Sequence, residues 1–327
     1  MLIEIDPNSG ITDIPGILVG HADDPKVLTG CTVVLCPDGA VGGIDRRGGG
    51  TSTRQADGFE PWHVVEHVHG VLLTGGSAHG LAASSGVLGY LEERGIGLGV
   101  GPWKVPIVGS AVIFDLGIGD GSVRPGPEMG RAACLSASAL RPRSGCVGAG
   151  MGATVGKSLG PAYMTKSGIG TASIRIGTTD LLVGAIVAVN AMGDVVDPSS
   201  GRLIAGARKE KGAFSDALEN LAHWAESGYQ RPGQSENTVI GVVATNARLN
   251  KQEATKVAQM AQDGLARTIR PAHTMFDGDT IFTMATGKVT APVSVVGAFA
   301  AEVFAQAVLD AVMAANGIGG VPAVGEL

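Results

Sequence analysis

Residues 235–249, SENTVIGVVATNARL, join two unlike textures at one peptide bond. Upstream, residues 230–237 are polar and carry Pro232 and Gly233, the composition of an exposed loop. Downstream, Thr238 opens a run of small and β-branched residues, Val239 to Thr245, that reads as a buried strand. A threonine at such a junction often does no more than start the strand. It acquires a second use if the bond between Asn237 and Thr238 is broken. Thr238 would then carry both a hydroxyl nucleophile and a free α-amine with a reference pKa of about 7.7–8, so one residue supplies nucleophile and base. Breaking that bond requires the hydroxyl to attack the preceding carbonyl, an N-to-O acyl shift to an ester that water hydrolyses. Strain or a preformed oxyanion site must favour it.

The rest of the chain supplies the frame for this junction. A length of 327 residues buries a large core, as one big α/β domain or two of ordinary size. Hydrophobic residues make up 44% and charged residues 17%, with 52 glycines, which excludes a disordered chain and points to a core of small side chains. Short apolar runs ending in glycine alternate with amphipathic stretches, the rhythm of mixed α/β layers. Strands are expected at 32–35, 70–73, 111–115, 171–176, 182–189, 239–245 and 280–285, and helices at 78–93, 128–139, 214–227, 251–268 and 296–315. The Pro/Gly/Gln/Ser-rich segment 228–237 reads as a loop within one domain, since the strand after it is too apolar to begin an independent module.

The formal charge of −6 is mild and scattered, which excludes a nucleic-acid or polyanion partner on electrostatic grounds. The N-terminal residues lack the pattern of a secretory signal and no uninterrupted apolar run of about 18 residues occurs, so a cytoplasmic protein without a membrane span is expected. The four cysteines have no C-x-x-C spacing and are expected as reduced, buried thiols.

Five other stretches place chemistry-bearing residues where α/β sites usually lie. TGGSAHG (74–80) follows a strand and opens a helix, so its backbone can approach a ligand closely, but it meets neither phosphate-loop nor nucleophile-elbow spacing. HVVEHVH (63–69) holds His63, Glu66 and His67 in the H-x-x-E-H pattern that presents two imidazoles to zinc from one helical face; a plain surface helix is the alternative. HTMFDGDT (273–280) sets Asp277 and Asp279 around Gly278, to bind a cation, orient an amine or close a turn. GAGMGATVGK (148–157) delivers Lys157, and VAVNAMGDVVDP (187–198) delivers Asn190, to the ends of apolar runs, where each can equally be a turn residue.

Taken together, ENTVIGVVATNARL (236–249), DGLARTIRPAHTMFDGDTIF (263–282), LLTGGSAHGLAASSGV (72–87), VPIVGSAVIFDL (105–116) and GIGTASI (168–174) resemble the self-processing L-aminopeptidase/D-amino-acid esterase-amidase family, which includes the nylon-oligomer endohydrolases. The likeness runs in order from about residue 11 to about residue 315. It implies a four-layer αββα sandwich of the N-terminal-nucleophile type. It also implies cleavage into an α chain, 1–237, and a β chain, 238–327, that stay in one fold and assemble as a tetramer of αβ units. No metal or cofactor is implied.

Residue by residue, the resemblance makes Thr238 the nucleophile, Asn190 the oxyanion-side amide, Lys157 a hydrogen-bonding group near the nucleophile, and Asp277 and Asp279 the acidic pair that orients the α-amine. Gly75, Gly76, Ser77 and Ala78 would line the substrate cleft. Phe114 stands where the nylon-oligomer enzymes carry a tyrosine, so another donor replaces that hydroxyl or the substrate range differs. The implied substrates are short peptides, amino-acid amides or esters, or ω-amino-acid oligomers. An acyltransferase of the ornithine-acetyltransferase type shares this outline and is the nearest alternative, with a zinc hydrolase built on His63, Glu66 and His67 behind it.

Overall fold

Runs of small and β-branched residues, apolar on both faces in the central strands, build nine strands into one mixed sheet, seen in a computed structural model that describes residues 5–209, 212–228 and 237–327. Of the loop expected over 228–237, residues 229–236 lie outside the described residues. In chain order the strands are β1 (Leu18–Asp24), β2 (Thr29–Arg46), β3 (Thr53–Arg54), β4 (His67–Thr74), β5 (Val108–Val112), β6 (Ile169–Arg175), β7 (Leu182–Asn190), β8 (Thr238–Ala247) and β9 (Thr280–Val289). They lie in the order β6-β7-β8-β9-β2-β4-β5-β3, with β1 also on β2. The pairs β8/β9 and β4/β5 are parallel and the others antiparallel. The long strand β2 joins the two halves: its first part pairs with β1 and β4, its last part with β9, and its register shifts between Leu35 and Ala40.

Period-two alternation then divides the core. Val239 and Val243 of β8 join Val183, Val187, Ile281 and the inner faces of helices α4 (Lys251–Thr268) and α5 (Val293–Met313) in one cluster. The intervening Ile240 and Val242 join Ile186, Phe282 and Met284 with Val34, Val68 and Val71 from the other half of the sheet. A third cluster packs Val33, Leu35, Leu72 and Val108 against helices α1 (Ser84–Glu92) and α2 (Pro127–Ser136). Each fully buried valine or isoleucine contributes on the order of 1.5–3 kcal/mol relative to exposure. Helix α5 is long and apolar enough, by length and composition, to cross a membrane; it packs on α4, β6 and β7 instead.

Helix α4 spans the range its periodicity predicts. Asn250 accepts from the Glu253 N–H at 2.9 Å while Glu253 accepts from the Asn250 N–H at 2.9 Å, a reciprocal cap, and Ala254, Val257, Ala258, Ala261 and Leu265 are all buried. Other expectations need correction. The helix expected over 78–93 is one turn at Ser77–Gly80, a 3-10 step at Leu81–Ala83, and then α1. The helix expected from 214 starts at Ala217 as α3 (Ala217–Glu226), because Asp216 caps it by accepting from the Leu218 N–H at 2.8 Å. Residues 63–69 form no helix: β4 begins at His67 with ladder partners on β2. His63 and His67 therefore do not share a helical face, and the zinc arrangement fails on geometry. Among the described residues no group of three or more His, Cys, Asp or Glu is placed to hold a metal.

Candidate active site

Strand register assembles the site. Antiparallel pairing sets Asn190, the last residue of β7, opposite Thr238, the first of β8. Parallel pairing of β8 with β9 matches Ile240 to Thr280, and an additional bridge joins Asn237 to Asp277. Because the connection through α4 returns the chain to the same end of the sheet, the Asp277-Gly278-Asp279 turn arrives beside Thr238. All of Asn190, Asn237, Thr238, Asp277 and Asp279 are buried.

The Thr238 hydroxyl donates to the carbonyl oxygen of Asn237, so the side chain lies against the bond it would attack. The same carbonyl accepts from the Gly278 N–H at 2.8 Å, and the Asn237 N–H donates to the Phe276 carbonyl at 3.1 Å. The peptide between residues 237 and 238 is thus held by ladder bonds on its upstream side. A Cβ at Gly278 would stand 2.8 Å from the Thr238 Oγ1 and 3.0 Å from the Gly50 carbonyl oxygen, so only glycine lets this turn run so close to the hydroxyl.

Asp279 accepts from the Val239 N–H through Oδ1 at 2.8 Å and from the His273 N–H through Oδ2 at 3.0 Å; Oδ2 also lies 2.8 Å from His273 Nδ1. Asp277 accepts from the Thr274 N–H at 2.8 Å and the Thr274 hydroxyl at 2.6 Å. Burial, and then the negative charge of Asp279 beside it, push the Asp277 carboxyl up to about 6, against the opposing pull of the Thr274 hydrogen bonds and the Lys157 charge.

Lys157 Nζ donates to the Asn190 carbonyl at 3.0 Å and to its side-chain Oδ1 at 2.8 Å. The Thr154 N–H also donates to Oδ1, at 3.1 Å, and Asn190 Nδ2 donates to the Phe114 carbonyl at 2.9 Å. Asn190 is therefore oriented by three residues, Lys157, Thr154 and Phe114, with the second N–H of its amide left over from the Phe114 bond. Next to Phe114, the buried Asp115 accepts from the Gly76 N–H at 2.7 Å and the Thr29 hydroxyl at 2.7 Å. Burial raises its carboxyl, with the Lys157 charge among the opposing influences. Gly75 and Gly76 are buried on this carboxylate, Ser77 is half-buried and Ala78 exposed, and both Gly76 (φ 80°) and Ser77 (φ 53°) adopt left-handed backbone.

The loop at 74–80 is thus linked through Asp115 and Phe114 to Asn190 and so to Thr238. The sequence reading singled out neither Asp115 nor the turn residues His273 and Thr274 for a role. Their only signal was adjacency: Asp115 follows Phe114, and His273 and Thr274 open the same stretch that holds Asp277 and Asp279.

The profile of the family described as peptidase family S58 matches residues 9–324. The chain belongs to peptidase family S58. It is similar to an uncharacterized aminopeptidase of Mycobacterium leprae, 43% identical over 98% of this chain and 95% of that protein. It is also similar to a 6-aminohexanoate-oligomer endohydrolase of Kocuria sp., 31% identical over 91% of this chain and 84% of that one. The solved L-aminopeptidase D-Ala-esterase/amidase of Ochrobactrum anthropi, described as a variant of the Ntn hydrolase fold, superposes with a TM-score of 0.72 at 18% identity, covering 98% of this chain and 90% of that chain. This S58 chain therefore has a mixed α/β fold of the Ntn-hydrolase kind and is a hydrolase.

Proposed function

We propose that this S58 hydrolase is an aminopeptidase/amidase that matures by cutting its own chain between Asn237 and Thr238 and then uses Thr238 as an N-terminal nucleophile. The observation that carries this reading is the Thr238 hydroxyl resting on the Asn237 carbonyl, with Gly278 donating to the same oxygen. Attack by the hydroxyl gives an ester to Asn237, water releases the α chain, 1–237, and the β chain, 238–327, begins with a free amine.

In turnover the Thr238 hydroxyl attacks a substrate carbonyl and passes its proton to that amine, which hands it to the departing amine or alcohol as the scissile C–N or C–O bond breaks; the acyl-enzyme left on Thr238 is cleared by water, which releases the acid. The remaining Asn190 amide N–H is the donor for the developing oxyanion, and Lys157 holds Asn190 in place. Asp277 and Asp279 flank the position of the α-amine and orient it. Gly75, Gly76, Ser77 and Ala78 form a wall of the substrate cleft, and Phe114 contributes its carbonyl to Asn190 rather than a side-chain hydroxyl. Short peptides, amino-acid amides or esters and ω-amino-acid oligomers fit this chemistry, and similarity to an aminopeptidase and to an oligomer endohydrolase favours hydrolysis over acyl transfer.

Three large core clusters, helices outside and two half-sheets within, support a four-layer αββα arrangement. The hairpin Leu98–Val100 with Trp103–Val105 exposes four large apolar side chains, which supports assembly of several αβ units, a tetramer in our reading.

The test is Thr238→Ala. Wild type is expected as two bands on a denaturing gel, with intact masses matching 1–237 and 238–327, and the variant as one full-length band without hydrolytic activity. A variant that still splits and turns over substrate removes Thr238 from the mechanism.

A further inference from the structure

Behind the nucleophile, one imidazole has a single polar partner. His273 Nδ1 lies 2.8 Å from Asp279 Oδ2, and the His273 backbone N–H donates to the same oxygen at 3.0 Å. Its other ring nitrogen, Nε2, is buried and has no hydrogen-bond partner among the described residues. Asp279 Oδ2 is an acceptor, so the ring proton sits on Nδ1. His273 also adopts left-handed backbone (φ 57°), a conformation costly to a residue with a Cβ. A residue kept only to fill space needs neither the strained backbone nor the ring donor. The far side of the carboxylate shows what the pair holds: Asp279 Oδ1 grips the N–H of Val239, the residue after Thr238.

We propose that His273 is a positioning residue for the S58 reaction, a clamp whose two N–H groups fix the Asp279 carboxylate so that Asp279 in turn fixes the start of β8 and the Thr238 nucleophile. The proposal rests on the reading of Thr238 given above. The clamp works before scission, when the hydroxyl must stay against the Asn237 carbonyl, and after it, when the new terminus has lost its upstream tether. At that stage the nucleophile keeps its pairing with Asn190 on one side and, on the other, the Asp279 grip on the Val239 N–H, whose strength the orientation of Asp279 sets.

The substitution His273→Asn discriminates a donor from a filler. Its amide nitrogen is bonded to Cγ as Nδ1 is, so it offers an N–H at nearly the same place, and asparagine tolerates left-handed backbone. His273→Ala keeps a Cβ and loses the donor. The experiment measures self-cleavage on denaturing gels, kcat and KM with a chromogenic amino-acid amide, and thermal unfolding, for wild type, H273A, H273N and T238A. In H273A, self-cleavage and kcat are expected to fall about ten-fold or more, as for loss of a hydrogen bond to a charged group, with KM little changed. H273N is expected to restore both.

If H273A cuts and turns over like wild type while T238A does neither, the clamp is wrong and the nucleophile reading stands. If T238A behaves as wild type, both fall. Should H273A not fold, H273N decides: full activity supports the clamp, and a ten-fold loss at unchanged thermal stability overturns it.

Discussion

Two carboxylates one residue apart in a buried site compete for ionisation, and here Asp277 yields, drawn up to about 6 by burial and by the charge of Asp279. Its proton is therefore exchanged within the working range. Rates of self-cleavage and turnover between about pH 4 and pH 9 are expected to show an inflexion near the Asp277 value, absent in Asp277→Asn. The Lys157 charge favours ionised Asp277, so Lys157→Met is expected to move that inflexion to higher pH; movement downward would assign it to another group. Thr238, Asn190, Lys157 and the two aspartates stand out in the sequence at the ends of apolar runs, but the roles expected of them came from the family resemblance; what the structure adds is that they lie together. Asp115 and the proposed clamp at His273 were not legible, because their contacts run through backbone N–H groups, at Gly76 and Val239, that no residue pattern reports.

At the scale of elements, the β8–α4–β9 unit carries the site, and it was readable because its signals agree: a capping pair, a 3.6-residue apolar stripe and two uninterrupted strand runs. The 78–93 segment was misread as one helix because its backbone stays right-handed across the 3-10 step at Leu81–Ala83, a change of hydrogen-bonding pattern that the apolar spacing does not report.

A tie remote in sequence pins α3. The buried Asp194 accepts from the Ala217 N–H at 2.6 Å, and burial raises its carboxyl to about 7. Unfolded, the group titrates near 3.9. Between these values the folded chain holds a proton that the unfolded chain releases, so this contribution to stability is complete below about pH 4 and is lost as pH rises towards 7. Asp194→Asn, which imitates the protonated carboxyl, is expected to flatten the fall in thermal midpoint over that window. An unchanged slope would show that Asp194 stays ionised in the fold.

Over the whole molecule, β8 lies between β7 and β9 in the middle of the sheet, and its side chains feed the two largest core clusters. A cut at its first residue leaves every one of those contacts in place. The two pieces, 1–237 and 238–327, are expected to elute together as one particle in size-exclusion chromatography and to separate only in denaturant. Elution of either piece alone without denaturant would contradict the interlocked core. The mixed α/β character was legible from alternating run lengths. The strand order was not, since pairing β2 with both halves depends on the register shift between Leu35 and Ala40, which is made by partners distant in the chain.

The bond from the Asn237 N–H to Phe276 lies outside the peptide link that the proposed cut would sever, whereas the bond from the Gly278 N–H is made to the oxygen of the scissile carbonyl itself. Scission would leave the first untouched and turn the second into a bond to the new carboxylate. On the proposed mechanism the new carboxyl end would begin its life still zipped to the sheet beside Thr238, so ripening of the enzyme would have two stages: cutting the thread, and pulling the plug.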